Sequence, residues 1–268
     1  MSIRMDKEGK FVFSSSFLSF LVSFLLIRYS GFSLSSIVNL ENYFIKSLVL
    51  QTAASTFGVL YAFLSPFYLL FLGLIFFVLG ISVLSYHGYT KNSQEPGKLA
   101  GIVSAVFALL LFPTLMGLFI AISVFVCCLY SPKLSSAYSK ELKRWVFFRT
   151  GSNTTGRVLF VVNIIIFIGI FLTVLINQQT YATQFRQDIT DSMKSIAIAL
   201  PGASSIPSDI LNQRIESAVQ TSPLINSYII WLPVTAAFMA WVVLEFLRNV
   251  LLSNIGGVFT YIMLRKSK

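Results

Sequence analysis

The sequence predicts an all-α, polytopic transmembrane helical bundle, and three observations carry that prediction. Only 11% of the 268 residues are charged, less than half of the roughly one quarter that a soluble domain uses to cover its surface. Hydrophobic residues make up 56% and mean hydropathy is +0.79, so lipid has to cover much of the chain. The apolar residues fall into runs of spanning length, separated by polar segments that hold most of the Lys and Arg.

The net charge of +10 raises nucleic acid as a partner. A nucleic-acid binder gathers its cations on one soluble face, whereas here they stand between apolar runs. The expected partners are therefore the lipid bilayer, with its anionic headgroups, and other membrane proteins or further copies of this chain. The composition and length fit one integral membrane domain over residues 1–268.

Six spans are expected, at about 11–28, 45–64, 66–86, 99–130, 158–177 and 228–247. The first follows a tail with Arg4, Lys7 and Lys10. It lacks an Ala-x-Ala cleavage pattern, so it reads as a retained helix instead of a signal peptide. Residues 45–86 are too long for one crossing, since a helix of that length runs about 60 Å against a hydrocarbon core of about 30 Å. Ser65-Pro66 supplies a break, serine as N-cap and proline as first helical residue. Without that break the count falls to five.

Tyr89 to Lys98, with Asn92, Ser93, Gln94, Glu95, Pro96 and Gly97, reads as a turn between two helices. In the run after it, Pro113 has no capping residue in front, which predicts a kinked but continuous helix over 99–130, with Gly117 assisting. Ser131-Pro132 repeats the cap signal and opens a basic amphipathic helix over 132–149 lying on the membrane surface. Its apolar positions are Leu134, Tyr138, Leu142, Trp145 and Val146, and Lys133, Lys140, Lys143 and Arg144 are candidates for anionic-lipid contact. Gly151 to Gly156 reads as a loop containing the acceptor pattern Asn153-Thr154-Thr155.

Residues 178–226 have ordinary polarity and predict a small extracytoplasmic helical hairpin turning at Pro201 to Ser205. One helix presents Phe185, Ile189, Met193 and Ile196, and the other Leu211, Ile215 and Val219. Asp191 and Lys194 can pair along the first. After the last span, Asn249 to Leu264 reads as an interfacial or re-entrant piece. Counting Lys and Arg at the span ends places 131–157 and both termini in the cytoplasm and 178–226 outside.

Few residues invite chemistry. Glu245 and Arg248, three apart on a helix, are candidates for an intramembrane or interfacial ion pair; the length of the stretch favours the interface, where the pair ends a span. His87 is the single histidine and reads as an interfacial polar residue, since one imidazole without partners makes no metal site. Cys127 and Cys128 are adjacent, which rules out a disulfide framework or a spaced metal site; they read first as two small apolar residues in a helix, with acylation at the boundary as the alternative in a eukaryotic cell. No phosphate loop, nucleophile motif, cofactor motif or catalytic set is present. The expected function is a non-enzymatic subunit, scaffold or assembly factor of a membrane complex. A channel or transporter is the second reading, resting on Pro113, Pro233 and Glu245/Arg248.

Overall fold

A computed structural model describes residues 6–31, 67–199 and 208–267, and all their regular structure is helical. The expected span 45–64, the Ser65-Pro66 cap and the Pro201 to Ser205 turn lie outside the described residues. Among the described residues five helical runs are long and apolar enough to cross a membrane, in keeping with a multi-pass membrane protein. The chain falls into two compact units.

The first unit takes in residues 1–31, 68–169 and 241–268. Helix α1 (Lys7–Tyr29) starts where the Asp6 carboxylate accepts the Gly9 N–H at 2.7 Å, satisfying one of the unpaired donors of a first turn. Helix α2 (Tyr68–Lys91) lies against it in the opposite direction. Gly73 sits against Ile27 and Gly80 against the Phe20 ring, so close that an added methyl would come within 2.9 and 2.8 Å. At the far end the Lys91 ammonium reaches Asp6 at 2.5 Å and Glu8 at 2.8 Å. The six-span reading puts one crossing between these two helices and so expects them parallel. They run antiparallel.

Helix α3 (Glu95–Leu111) begins after a turn at Asn92, whose φ is +51°, with Pro96 in its first turn. It does not continue through Pro113. Phe112 is its C-cap, Thr114 becomes an N-cap whose hydroxyl accepts the Gly117 N–H at 3.2 Å, and helix α4 (Leu115–Glu141) runs back alongside. Gly97 and Gly101 pack on Cys128, and the Arg28 guanidinium donates to the Leu111 carbonyl at the end of α3. The expected continuous helix over 99–130 is thus a reversal. Proline cannot donate to the preceding turn, and the residue that caps the new helix stands after it, not before.

Proline 132 behaves the other way. It lies inside α4, buried, with Gly88 of α2 against its backbone. The Cys128 carbonyl that it cannot bond faces the α3 backbone at Gly97. The expected surface helix over 132–149 is therefore divided. Residues 132–141 finish α4, the chain breaks at 142–145, and α5 (Val146–Ile176) begins.

Gly151 to Gly156 belongs to α5, not to a loop, and Thr154 and Thr155 are buried. Gly151 faces Thr260, Gly256 faces Thr155 and Gly257 faces Phe148, bringing α5 against α9 (Ser253–Lys266). Small residues read as loop formers in water, yet they are what lets membrane helices approach each other.

The second unit takes in 32–67 and 170–240. Within it α6 (Gln178–Ala199) and α7 (Ser208–Thr221) are joined by a Lys194–Glu216 ion pair at 2.8 Å. Lys194 thus pairs across the two helices, where the sequence offered Asp191 on the same helix. Arg186 Nη2 donates to Asn226 Oδ1 at 2.9 Å, and Phe185 stacks on Tyr228 with ring centres 5.0 Å apart. Phe185 and Val219 are buried as their spacing predicts, but Met193 is exposed.

Helix α8 (Pro223–Leu247) does not end at Glu245. A π turn over Arg248–Leu252 carries it straight into α9, making one helical run of 44 residues. The expected interfacial piece 249–264 is instead packed helix, with Gly256, Gly257, Thr260 and Leu264 buried.

Candidate functional site: a paired glutamate and arginine at the π turn

The least exposed ion pair among the described residues lies at the π turn. Its ring is wider than an α turn by one residue, so the Ser253 N–H bonds the Arg248 carbonyl instead of that of Asn249. Such turns recur at functional sites. Here the turn starts at the arginine of the sequence-predicted pair.

Glu245 and Arg248 do meet, carboxylate Oε2 to guanidinium Nη2 at 2.7 Å, with side chains only 14% and 18% exposed. The other carboxylate oxygen accepts the Asn163 side-chain amide at 2.9 Å. Arg248 also donates from Nη1 to the Gly156 carbonyl at 3.2 Å and from Nη2 to Asn249 Oδ1 at 2.9 Å. Its guanidinium lies 5.1 Å from the centre of the Phe160 ring, a cation–π distance. The pair stands near the middle of the 44-residue run rather than at the end of a helix. The helix continues past the pair through the π turn.

Each partner is explained by local structure. Gly156, Phe160 and Asn163 follow one another at spacings of four and three on α5, which puts them on one helical face. Gly156 has no side chain to screen its carbonyl, so an arginine from the adjacent helix can reach it. Asn163, 4% exposed, is the residue that sequence reasoning missed. It was visible as the only interior amide of an apolar run, and an amide in such a place needs a polar partner.

The remaining candidates are not brought together. Lys133, Lys140, Lys143 and Arg144 are all exposed, at the end of α4 and in the break after it. His87 is 2% exposed, packed among the helices four residues before Lys91, and neither ring nitrogen has a hydrogen-bond partner among the described residues. Cys127 and Cys128 are fully buried. Burial removes them from the acylation chemistry their position suggested, because a thiol enclosed by helices cannot reach an acyl donor. Among the described residues no group of three His, Cys, Asp or Glu side chains could hold a metal ion.

At the Lys91 end the electrostatics are simple. The Lys91 ammonium, and after it the Gly9 N–H, hold the Asp6 carboxyl below its ordinary value of 3.8.

The described residues are helical, with several apolar runs of membrane-spanning length and a glutamate–arginine pair set among them, an arrangement compatible with an integral multi-pass membrane protein. Compared with known proteins, the chain matches no family model, no curated protein and no solved structure.

Proposed function

We propose that this chain is a non-enzymatic component of a membrane assembly, a subunit or scaffold whose helices pack against partner membrane proteins or copies of itself. The observation that carries this reading is that the charges inside the apolar helices are closed on one another. Glu245 is held by Arg248 and Asn163, and Arg248 by Glu245, Gly156, Asn249 and Phe160. Ionisable groups in a membrane mark a pathway when they face water or substrate, whereas a pair held by its neighbours, here with Arg248 Nε left without a hydrogen-bond partner among the described residues, fixes two helices to each other. Next to it, α5 and α9 approach too closely for a ligand to pass, since a methyl added at Gly257 would come within 2.7 Å of the Phe148 ring. In the second unit α8 exposes Trp231 and Val234, apolar side chains for lipid or a partner helix.

The proposed topology has six crossings: α1, α2, α3, α4, α5 and a part of the α8–α9 run, whose 44 residues are longer than one crossing needs and extend beyond the bilayer. The positive-inside rule supports a cytoplasmic location for the end holding Lys7, Lys10, Lys91, Lys98, Lys143 and Lys266, and for both termini. It leaves α6 and α7 as a small extracytoplasmic hairpin. A reporter fused after Ser2 and another in the Asn92 turn report the same side under this topology; opposite sides would overturn it.

A channel or transporter is the second reading, favoured by the π turn beside Glu245 and by Pro233 inside α8. Purification in mild detergent separates the two. A stoichiometric membrane partner supports the assembly role, and a monodisperse homo-oligomer that supports solute flux in liposomes would replace it with the transporter reading.

A further inference from the structure

The break between α4 and α5 gathers cations around an exposed tryptophan. Leu142 leaves the helix in an extended conformation, and Trp145 takes φ +53°, a left-handed backbone uncommon for a bulky residue. In that conformation its indole is 79% exposed. Lys133 and Lys140 are seven residues apart, two turns of α4, and so occupy one face. Both are exposed, as are Lys143, Arg144 and Arg149. None of these five forms an ion pair among the described residues, while Lys91 and Lys194 each have carboxylate partners. The single acid between residues 131 and 157 is Glu141.

The geometry points to a lipid-binding edge: the 140–149 junction, with Lys133 above it, binds the headgroups of anionic phospholipids, and Trp145 is its anchor at the bilayer boundary. An indole has an apolar body and one N–H donor, which suits the level where acyl chains meet headgroups. Unpaired Lys and Arg beside it are drawn to a negative lipid surface by about a kcal/mol each, which corresponds to a factor of about five. The expected amphipathic surface helix would have spread these charges along the membrane plane; the break at 142–145 instead concentrates them at the foot of two spanning helices. This inference rests on the membrane reading of the first unit, and on neither its orientation nor its assembly role.

The test uses the full chain reconstituted into nanodiscs of equal parts phosphatidylcholine and phosphatidylglycerol. The lipid that stays bound on re-extraction into detergent is identified by mass spectrometry. The wild type is expected to retain phosphatidylglycerol preferentially, less so as salt rises, and K140Q/K143Q/R144Q to lose at least about fivefold of that preference. Equal retention of both lipids by the wild type overturns the inference, as does an unchanged preference in the triple variant. Displacement of the lipid by millimolar inorganic phosphate also overturns it, because the site would then be one for a free anion.

A second measurement does not depend on the variant folding. In W231F/W241F, Trp145 is the one remaining tryptophan, and lipids brominated next to the headgroup are expected to quench its fluorescence. Quenching by aqueous iodide alone would place the indole in water and remove the anchor. If the membrane reading itself were at fault, the wild type would leave the membrane fraction in an alkaline carbonate wash, an outcome distinct from all of these.

Discussion

Asn163 on α5 donates its side-chain amide to Glu245 on α8 at 2.9 Å, beside an ion pair that Glu245 shares with Arg248. The contact ties two long apolar helices at a point where the paired side chains are largely buried. Leaving one member of a buried pair alone costs about 3–5 kcal/mol, whereas replacing both with apolar side chains of similar volume is often neutral. Glu245→Ala is therefore expected to lower the unfolding midpoint in detergent sharply, and Glu245→Met with Arg248→Met to recover most of the loss. Thermal scans of the three proteins check this. A double replacement as damaging as the single one would contradict the structural role and turn attention to the carboxylate itself, as the transporter reading requires.

The crossing of α5 and α9 depends on glycines of unequal tightness. A methyl at Gly256 would meet the Thr155 side chain, its Cβ at 2.7 Å, while a methyl at Gly156 would meet only the Ser253 hydroxyl at 3.0 Å. Overpacking of this kind costs typically 1–3 kcal/mol. Gly256→Ala is expected to fall in that range and Gly156→Ala well below it. Chemical unfolding of the two variants ranks them, and the reverse order would show that the helices are further apart than described.

The reversal at Phe112–Thr114 has a direct covalent test. In a Cys127→Ser background, Gly101→Cys would place a new Cβ 3.0 Å from the Cβ of Cys128, close to the 3.5–4.5 Å of a disulfide and within a small helix shift of it. In one continuous helix the same two positions would be about 40 Å apart. Mild oxidation followed by peptide mass analysis should find the 101–128 crosslink within one chain. Its absence alongside intermolecular crosslinks would reinstate the kinked single helix.

The clasp between Lys91 and Asp6 predicts an acid-side loss of stability. A carboxyl whose folded value is depressed stabilises the fold fully above its unfolded value, here 3.8, and loses that contribution as pH falls through the lower folded value. The unfolding midpoint of wild type should exceed that of Asp6→Asn at neutral pH, and the two curves should converge in strong acid. Parallel curves down to the lowest pH would mean that the pair at 2.5 Å is not maintained. Both side chains are largely solvent-exposed, so the difference is expected to be small.

What the residues disclosed in advance, and what they withheld, follows from which solvent each rule assumes. Apolar helices of membrane-spanning length were legible because hydropathy is a sum over many residues. The two prolines were read in reverse. Ser131 stands before Pro132 as a cap would, but the tight face of Gly88 and Gly97 keeps the helix going; Pro113 has no cap before it, but Thr114 after it starts a new helix. Those outcomes are set by neighbouring helices, which a one-dimensional pattern does not contain. Gly151 to Gly156 failed for a related reason, since loop propensity is a preference measured in water. The Glu245–Arg248 pair was legible from spacing within one helix. Asn163 and Gly156 were not, because they come from another helix, eighty or more residues away in sequence.

Helix α3 has 17 residues, so it spans about 25 Å, while the hydrocarbon core of a bilayer is about 30 Å thick. With α3 as a crossing, lipids beside it have to draw together by a few ångström. Its short end is where Arg28 reaches the Leu111 carbonyl, so a guanidinium meets headgroups pulled inward. Acyl-chain length thereby becomes a variable for this protein: short-chain lipids match α3, and long-chain lipids leave it too short for the bilayer and favour its tilting or its burial against another protein.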